Sequence, residues 1–228
     1  MSKILKNYGL VSLKERWGLT LWGWLLLLML IQIPFIVFFQ NVYGILAPVH
    51  REKSEILILE GFISDYVLKN AITEFNKNGY QLLITTGTPL EQGQLLAEYK
   101  NTANLVGASL IKIGFDSTKL VIIGTEEIRN DRTYNSALAL KKWLMTHRPE
   151  TRAVNLMTMN VHGARSQILF QKALGNNIKV GIISVENFYY GPKNWWKSSK
   201  GFRETMNEAF GYFYTRLFFR PYKLPGPK

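Results

Sequence analysis

Between Trp17 and Val49 no side chain carries a formal charge, and from Leu19 to Phe39 nearly every position is apolar. A run of that length is about enough to cross the hydrocarbon core of a bilayer as a helix. Trp17, Trp22, Trp24 and Tyr43 lie toward its ends, where amphipathic rings favour the interface. Pro34 is tolerated inside a spanning helix. Beyond Val49 the pattern changes to short apolar runs alternating with amphipathic stretches. "EILILE" (Glu55 to Glu60), "QLLITT" (Gln81 to Thr86), "KLVIIG" (Lys119 to Gly124), "AVNLMTM" (Ala153 to Met159) and "KVGIISV" (Lys179 to Val185) read as strands. Helical spacing falls between them. "SDYVLKNAITEFNKNG" places Leu68, Ala71, Ile72 and Phe75 on one stripe, with Ser64 or Asp65 to start it and Gly79 to end it. "LEQGQLLAEYKNTANLVG" turns Leu95, Leu96 and Tyr99 inward. "RTYNSALALKKWLMTH" and Ser166 to Leu174 complete the set. "GFRETMNEAFGYFYTRLFF" predicts a closing helix with Phe202, Met206, Ala209, Phe210, Phe213 and Leu217 toward the core. Its surplus aromatics, Tyr212, Tyr214, Phe218 and Phe219, read as core or dimer contacts rather than as a foot on lipid.

Apolar strands joined by helical crossovers predict an α/β fold, a Rossmann-like, mostly parallel sheet with helices on both faces, preceded by one transmembrane helix. The expected organisation is a basic cytoplasmic N-terminus over 1–18, an anchor over 19–41, a linker over 42–54, the α/β domain over 55–220 and a tail over 221–228.

Charge sets the expected orientation. Lys3, Lys6, Lys14 and Arg16 precede the apolar run against Glu15 alone, whereas Arg51 and Lys53 after it are interleaved with Glu52 and Glu55. The positive-inside rule then puts the N-terminus in the cytoplasm and the C-terminal domain outside. A cleaved signal peptide is the competing reading. The run is long for a signal core and no clean A-x-A site follows, Ile45-Leu46-Ala47 being a poor candidate. The net charge of +12 favours anionic partners. Its basic residues are scattered rather than clustered, which argues against nucleic acid. The chain has no cysteine, so disulfides, thiolate metal sites and a cysteine nucleophile are excluded. Its three histidines, His50, His147 and His162, lack the spacing of a zinc enzyme.

In an open α/β sheet, ligands bind outside the carboxyl ends of the strands. Those ends here carry Glu60-Gly61, Thr85-Thr86-Gly87-Thr88, Thr125-Glu126-Glu127, Asn160-Val161-His162-Gly163 with Arg165, and Glu186-Asn187. Gly61 and Gly87 permit tight turns whose N–H groups can hold an anion, or serve as turns only. No Walker loop, GxGxxG or GxSxG is present. His162 is a candidate acid or base oriented by Glu127 or Glu126, or else a cap on the helix that follows. Arg165 suits an anion, or else an ion pair with Glu127 or Glu186. The sequence predicts that Glu60, Gly87, Glu127, His162 and Arg165 line one cleft.

These residues resemble a known family. "ILILEGF", "ITTGT", Glu98 in "LLAEYK", "EEIRNDRTYNSALAL", "NVHGARS" and the closing "WWKSSKGFRETMNEAFGYFY" follow the order of motifs in the SanA/ElyC/YdcF family of bacterial envelope proteins, over roughly Glu55 to Phe219. In the E-x-x-S-x-N-T-x-E-N stretch, Glu127 and Thr133 match. Asn130, Arg132, Asn135 and Ser136 stand where the serine, first asparagine, glutamate and last asparagine would be. The resemblance implies a Rossmann-like domain with a polar cleft, a role in envelope integrity, and a place in the bacterial cytoplasmic membrane. One branch of the family is linked to S-adenosylmethionine. The residues themselves assign no cofactor. Together they predict a membrane-anchored protein acting on an anionic or lipid-linked envelope intermediate, with Glu127 and His162 moving protons. Glu60, Gly61, Thr86, Gly87, Glu98, Arg132, Thr133 and Arg165 would hold the ligand. The alternatives are a non-catalytic module for a nucleotide-like ligand, and a scaffold in an envelope complex with the anchor and the C-terminal aromatics as its contacts. Expected partners are the lipid bilayer, the anionic ligand and a second copy in a homo-oligomer.

Overall fold

The computed structural model describes residues 19–90, 98–125 and 130–221. Among these, one helix is long and apolar enough to cross a membrane: α1, Leu21–Leu46. Its leucines and isoleucines up to Val37 are exposed, so it is not the core helix of a water-soluble domain. The chain divides into two compact units, Met1–Gln40 and Asn41–Lys228.

The second unit is the α/β fold that the alternating pattern predicts. Its elements are β1 (Val49–His50), β2 (Ile56–Glu60), α2 (Asp65–Lys77), β3 (Leu82–Gly87), α3 (Thr102–Lys112), β4 (Leu120–Gly124), α4 (Arg132–His147), β5 (Ala153–Met159), α5 (Gly163–Leu174), β6 (Lys179–Val185) and α6 (Ser199–Leu217). They form one six-stranded sheet in the order β1-β6-β5-β2-β3-β4. Every pairing is parallel except β1 with β6. β2 is buried on both faces, so its apolar run is continuous and sorts by alternation. Ile56 and Ile58 face α4 and α5 together with Leu140, Leu144, Phe170 and Leu174. Leu57 and Leu59 face α2 and α3 together with Leu68, Phe75, Val106 and Leu110. Strand order reverses at β2. The chain runs outward through β3 and β4, then returns by α4 to β5 on the other side. The crevice beyond the carboxyl ends of β2 and β5 is therefore the topological switch point, where ligands sit in open α/β sheets.

Three expectations are corrected. Residues 42–54 are not a plain linker. Val42, Tyr43 and Leu46 at the end of α1 are buried in the α/β unit, and β1 joins the sheet. Two strand residues with little apolar character give no periodic signal; the parallel edge of β6 creates the pairing. The helix expected across Leu90 to Gly107 begins only at Thr102, where Asn101 caps it by accepting from the Asn104 N–H at 2.8 Å. Tyr99 lies on the bend before it, and Leu95 and Leu96 fall outside the described residues. Finally, of the stripe expected inward on α6 only Ala209 is buried. It packs inward with Gly201, Thr205 and Thr215, whereas Phe202, Phe210, Phe213 and Leu217 are exposed. Of the surplus aromatics, Phe219 joins the core and Tyr214 and Phe218 are exposed.

Candidate functional site at the sheet switch point

β2 ends in Glu60, which is buried. β5 ends where Asn160 adopts φ of 57°, a left-handed conformation that asparagine tolerates better than most residues. The kink starts a 3-10 turn, Asn160–His162, and delivers the chain into α5 at Gly163. The Tyr43 hydroxyl donates to Asn160 Oδ1 at 2.6 Å and ties the kink to the end of α1. Gly163 is required by packing, since a Cβ there would overlap the Ser184 hydroxyl of β6.

On this turn His162 and Arg165 converge on one carboxylate, Glu208 of α6. His162 Nδ1 lies 2.9 Å from Glu208 Oε1. Arg165 donates through Nε at 2.7 Å and Nη2 at 3.0 Å to the two oxygens, the fork geometry that arginine offers a carboxylate. Arg165 Nη2 is also 3.0 Å from His162 Nδ1. Because Glu208 already accepts from Nη2, the tautomer with hydrogen on Nδ1 satisfies all three groups at once. Gly211 lies one turn along α6, and a Cβ there would sit 3.0 Å from Arg165 Cδ, so glycine leaves room for the arginine stem. Burial would raise the Glu208 carboxyl, but the hydrogen bonds and charges of His162 and Arg165 outweigh it and hold the group at about 2. Burial opposes the charge on Arg165 too, and Glu208 overcomes it, raising the guanidinium above its ordinary value.

Behind the pair, the Ser166 hydroxyl donates to Glu60 at 2.9 Å, with the second oxygen at 3.2 Å. His162 Nε2 points toward this carboxylate at 4.0 Å. It is buried and has no hydrogen-bond partner among the described residues. The ring is held edge-on to Phe62, with centroids 5.1 Å apart. Glu60, His162, Glu208 and Arg165 thus form a line of alternating acid and base, with one ring nitrogen open to pass or receive a proton.

A cleft of about 320 Å³ opens beside this line. Its polar side is Asp131, Arg132 and Thr133 at the start of α4, facing His162 and Arg165; its apolar side is Phe62, Leu169, Tyr214 and Phe219. Asp131 takes φ of 52° and makes no side-chain cap, so the first-turn N–H groups of this 16-residue helix have no side-chain cap from it. A second cleft of about 240 Å³ lies on the other side of His162, bordered by Asn160, Glu204 and Asn207.

Of the residues singled out from sequence, His162, Arg165, Arg132 and Thr133 line one cleft, and Glu60 lies directly behind His162. Gly61, Thr86, Gly87 and Glu98 do not join them. A Cβ at Gly61 or Gly87 would crowd Thr102 at the start of α3, so both glycines serve close packing against that helix. Thr86 is buried within β3, and Glu98 is exposed on the bend before α3. Glu126 and Glu127 lie outside the described residues. Among the described residues the partner of Arg165 is Glu208 and not Glu186, and the same carboxylate holds His162. Nor does the His162 side chain cap α5, where it makes no cap hydrogen bond. Glu208 escaped the sequence reading because that reading turned the aromatic stripe of α6 inward. The usable signal was the Gly201, Thr205, Ala209 stripe, with an acid beside it. Ser166 and Tyr43 were missed because only the fold brings them to the site; Asn160 was placed at the end of its strand but given no role.

No family model matches the sequence, and no curated protein matches it.

Proposed function

We propose that this protein is a membrane-anchored enzyme of the cell envelope that binds an anionic, lipid-linked substrate in the cleft and moves a proton through His162. The observation that carries this reading is the state of His162. One ring nitrogen is fixed by Glu208, the other is buried without a partner among the described residues, and the ring borders a cleft lined by Arg132 and Thr133 as well as by the apolar Phe62, Leu169 and Phe219. Arg132 and the first turn of α4 suit the anion. Phe62, Leu169 and Tyr214 suit a hydrocarbon chain. Arg165, already forked onto Glu208, acts as a positioning residue and not as the anion's ligand. The proposal includes membership of the SanA/ElyC/YdcF family, on the motif order given above, and an exported domain at the bacterial cytoplasmic membrane. Retention of α1 is supported by packing. Cleavage after Ala47 would remove Val42, Tyr43 and Leu46 from the core of the α/β unit. A nucleotide-like ligand such as S-adenosylmethionine draws less support, because the Gly61 and Gly87 turns are packed against Thr102.

The test uses the full chain in detergent or nanodiscs. A polyprenyl phosphate should raise the melting temperature, while the matching polyprenol and inorganic phosphate should do so less. A ligand present at about a hundredfold over its Kd stabilises by about 2.7 kcal/mol. Arg132→Ala should lose the shift. His162→Gln should keep it and lose any conversion seen by phosphorus NMR. No shift with any of the three compounds, or an unchanged shift in Arg132→Ala, would overturn the reading.

A further inference from the structure

α6 is built with its apolar side out. Gly201, Thr205, Ala209 and Thr215 are buried, and Glu208 lies on the same side. At about 100° per residue, Phe202, Phe210, Phe213 and Leu217 fall outside that side, Phe210 and Leu217 well away from it and Phe202 and Phe213 along its edge next to Ala209. They are 44, 73, 43 and 67% exposed, and Tyr214 and Phe218 widen the face at 58 and 69%. A helix on a water-facing surface has the reverse arrangement. A contiguous apolar face of this extent marks a surface that something covers.

We propose that this face of α6 lies in the headgroup region of an anionic bilayer. Three observations favour lipid over a second copy of the chain. The apolar run of α1 ends at Phe39 and the buried residues of the α/β unit begin at Val42, so only two residues of sequence separate them. α6 also begins near that point of entry. The Tyr43 ring meets Tyr190 edge-on at 6.5 Å, and the Tyr190 hydroxyl donates to Glu204 in the second turn of α6. Lastly, bases outnumber acids there. Lys197, Lys200, Arg203, Arg216 and Arg220 are exposed; of the two acids of α6, Glu208 is taken up by Arg165, and Glu204 by Tyr190 and by Lys200 at 3.8 Å. Aromatic residues flanked by lysine and arginine are what interfacial helices present to anionic lipid. Gly211 and Tyr214 belong to both α6 and the cleft wall, so docking brings the mouth of the cleft to headgroup level. The inference stands independently of any reaction in the cleft.

The absence of cysteine makes the test direct. Phe210→Cys and Leu217→Cys in the full chain are each labelled with an environment-sensitive fluorophore and reconstituted into phosphatidylglycerol-containing vesicles. Ile113→Cys, exposed at the far end of α3, serves as the control. Labels at 210 and 217 should lose most of their emission to lipids carrying a shallow spin label, and lose more as the phosphatidylglycerol fraction rises. The control should respond only to aqueous iodide. Equal responses at all three positions would overturn the proposal. So would labels at 210 and 217 shielded from iodide but insensitive to spin-labelled lipid, with the unlabelled Phe210→Cys variant cross-linking between copies, which would assign the face to a dimer. The two positions are separate variants, so misfolding of one leaves the other to decide.

Discussion

Glu208 is the residue on which the site turns. It neutralises Arg165, orients His162 and is held far below the usual carboxylate range. The pH dependence follows from that direction. A carboxyl whose folded value is depressed contributes stability above its unfolded value, and that contribution is lost as pH falls through the folded one. The drop from 4.5 to about 2 places the loss in that window. On the order of 3 kcal/mol should disappear across it. Chemical denaturation at a series of pH values should show the loss in the native chain and not in Glu208→Gln. Arg165→Ala strands the carboxylate with His162 alone and should cost about 3–5 kcal/mol. Near-native melting of that variant would show that the fork contributes little and would return Arg165 to the list of anion ligands. His162→Gln, which keeps a polar side chain beside Glu208, should melt close to the native temperature and lose activity.

At the scale of elements, one buried amide decides how the first strands are joined. Asn155 sits fully buried in mid-β5. Its Nδ2 donates to the Glu52 carbonyl at 2.8 Å and to the Tyr80 hydroxyl at 2.9 Å, and its Oδ1 accepts from the Glu52 N–H at 2.8 Å. On β6, Gly181 is the neighbour that leaves room, since a Cβ there would overlap Asn155 Oδ1. The amide therefore pins the segment between β1 and β2. Asn155→Ala leaves three polar groups without their partner and should destabilise by about 2–3 kcal/mol. The conservative Asn155→Asp should not rescue it, because a carboxylate cannot donate to the Glu52 carbonyl. Thermal melts of the two variants check both statements. α6 makes the complementary point. Its helical spacing was plain in the sequence, but spacing defines two faces and does not say which is buried. Hydrophobicity alone favoured the aromatic one. The small residues won because Gly201 and Gly211 let α6 approach its neighbours closely, which a phenylalanine stripe would prevent.

At the scale of the whole molecule, the apolar run ends at Phe39 and the buried residues of the α/β unit begin at Val42. If α1 is retained, the protein isolated from membranes should have the mass of the chain with its N-terminal residues present, by intact-mass measurement. Removal of residues 1–47 should destabilise the remainder, because Tyr43 no longer reaches Asn160. The charge flanks predict a cytoplasmic N-terminus. An alkaline phosphatase fusion after Lys228 should be active and a cytoplasm-only fluorescent reporter at the same position dark; the reverse result would invert the orientation.

By itself the sequence determined the class of fold and most of its elements, β1 and the start of α3 excepted. The limits of β5, β6 and α4 were readable to the residue, because in a doubly covered sheet each buried strand must be a continuous apolar run and each crossover helix must show a stripe. It also placed His162 and Arg165 at a strand end, since local chain order decides that. Tertiary structure alone decided what those two residues touch. Glu208 lies 43 residues from Arg165 and Glu60 lies 106 from Ser166. Pairings across such distances are set by strand order and by which face of a helix packs inward. Periodicity along the chain constrains neither, because it records that a side is apolar and not what stands opposite it.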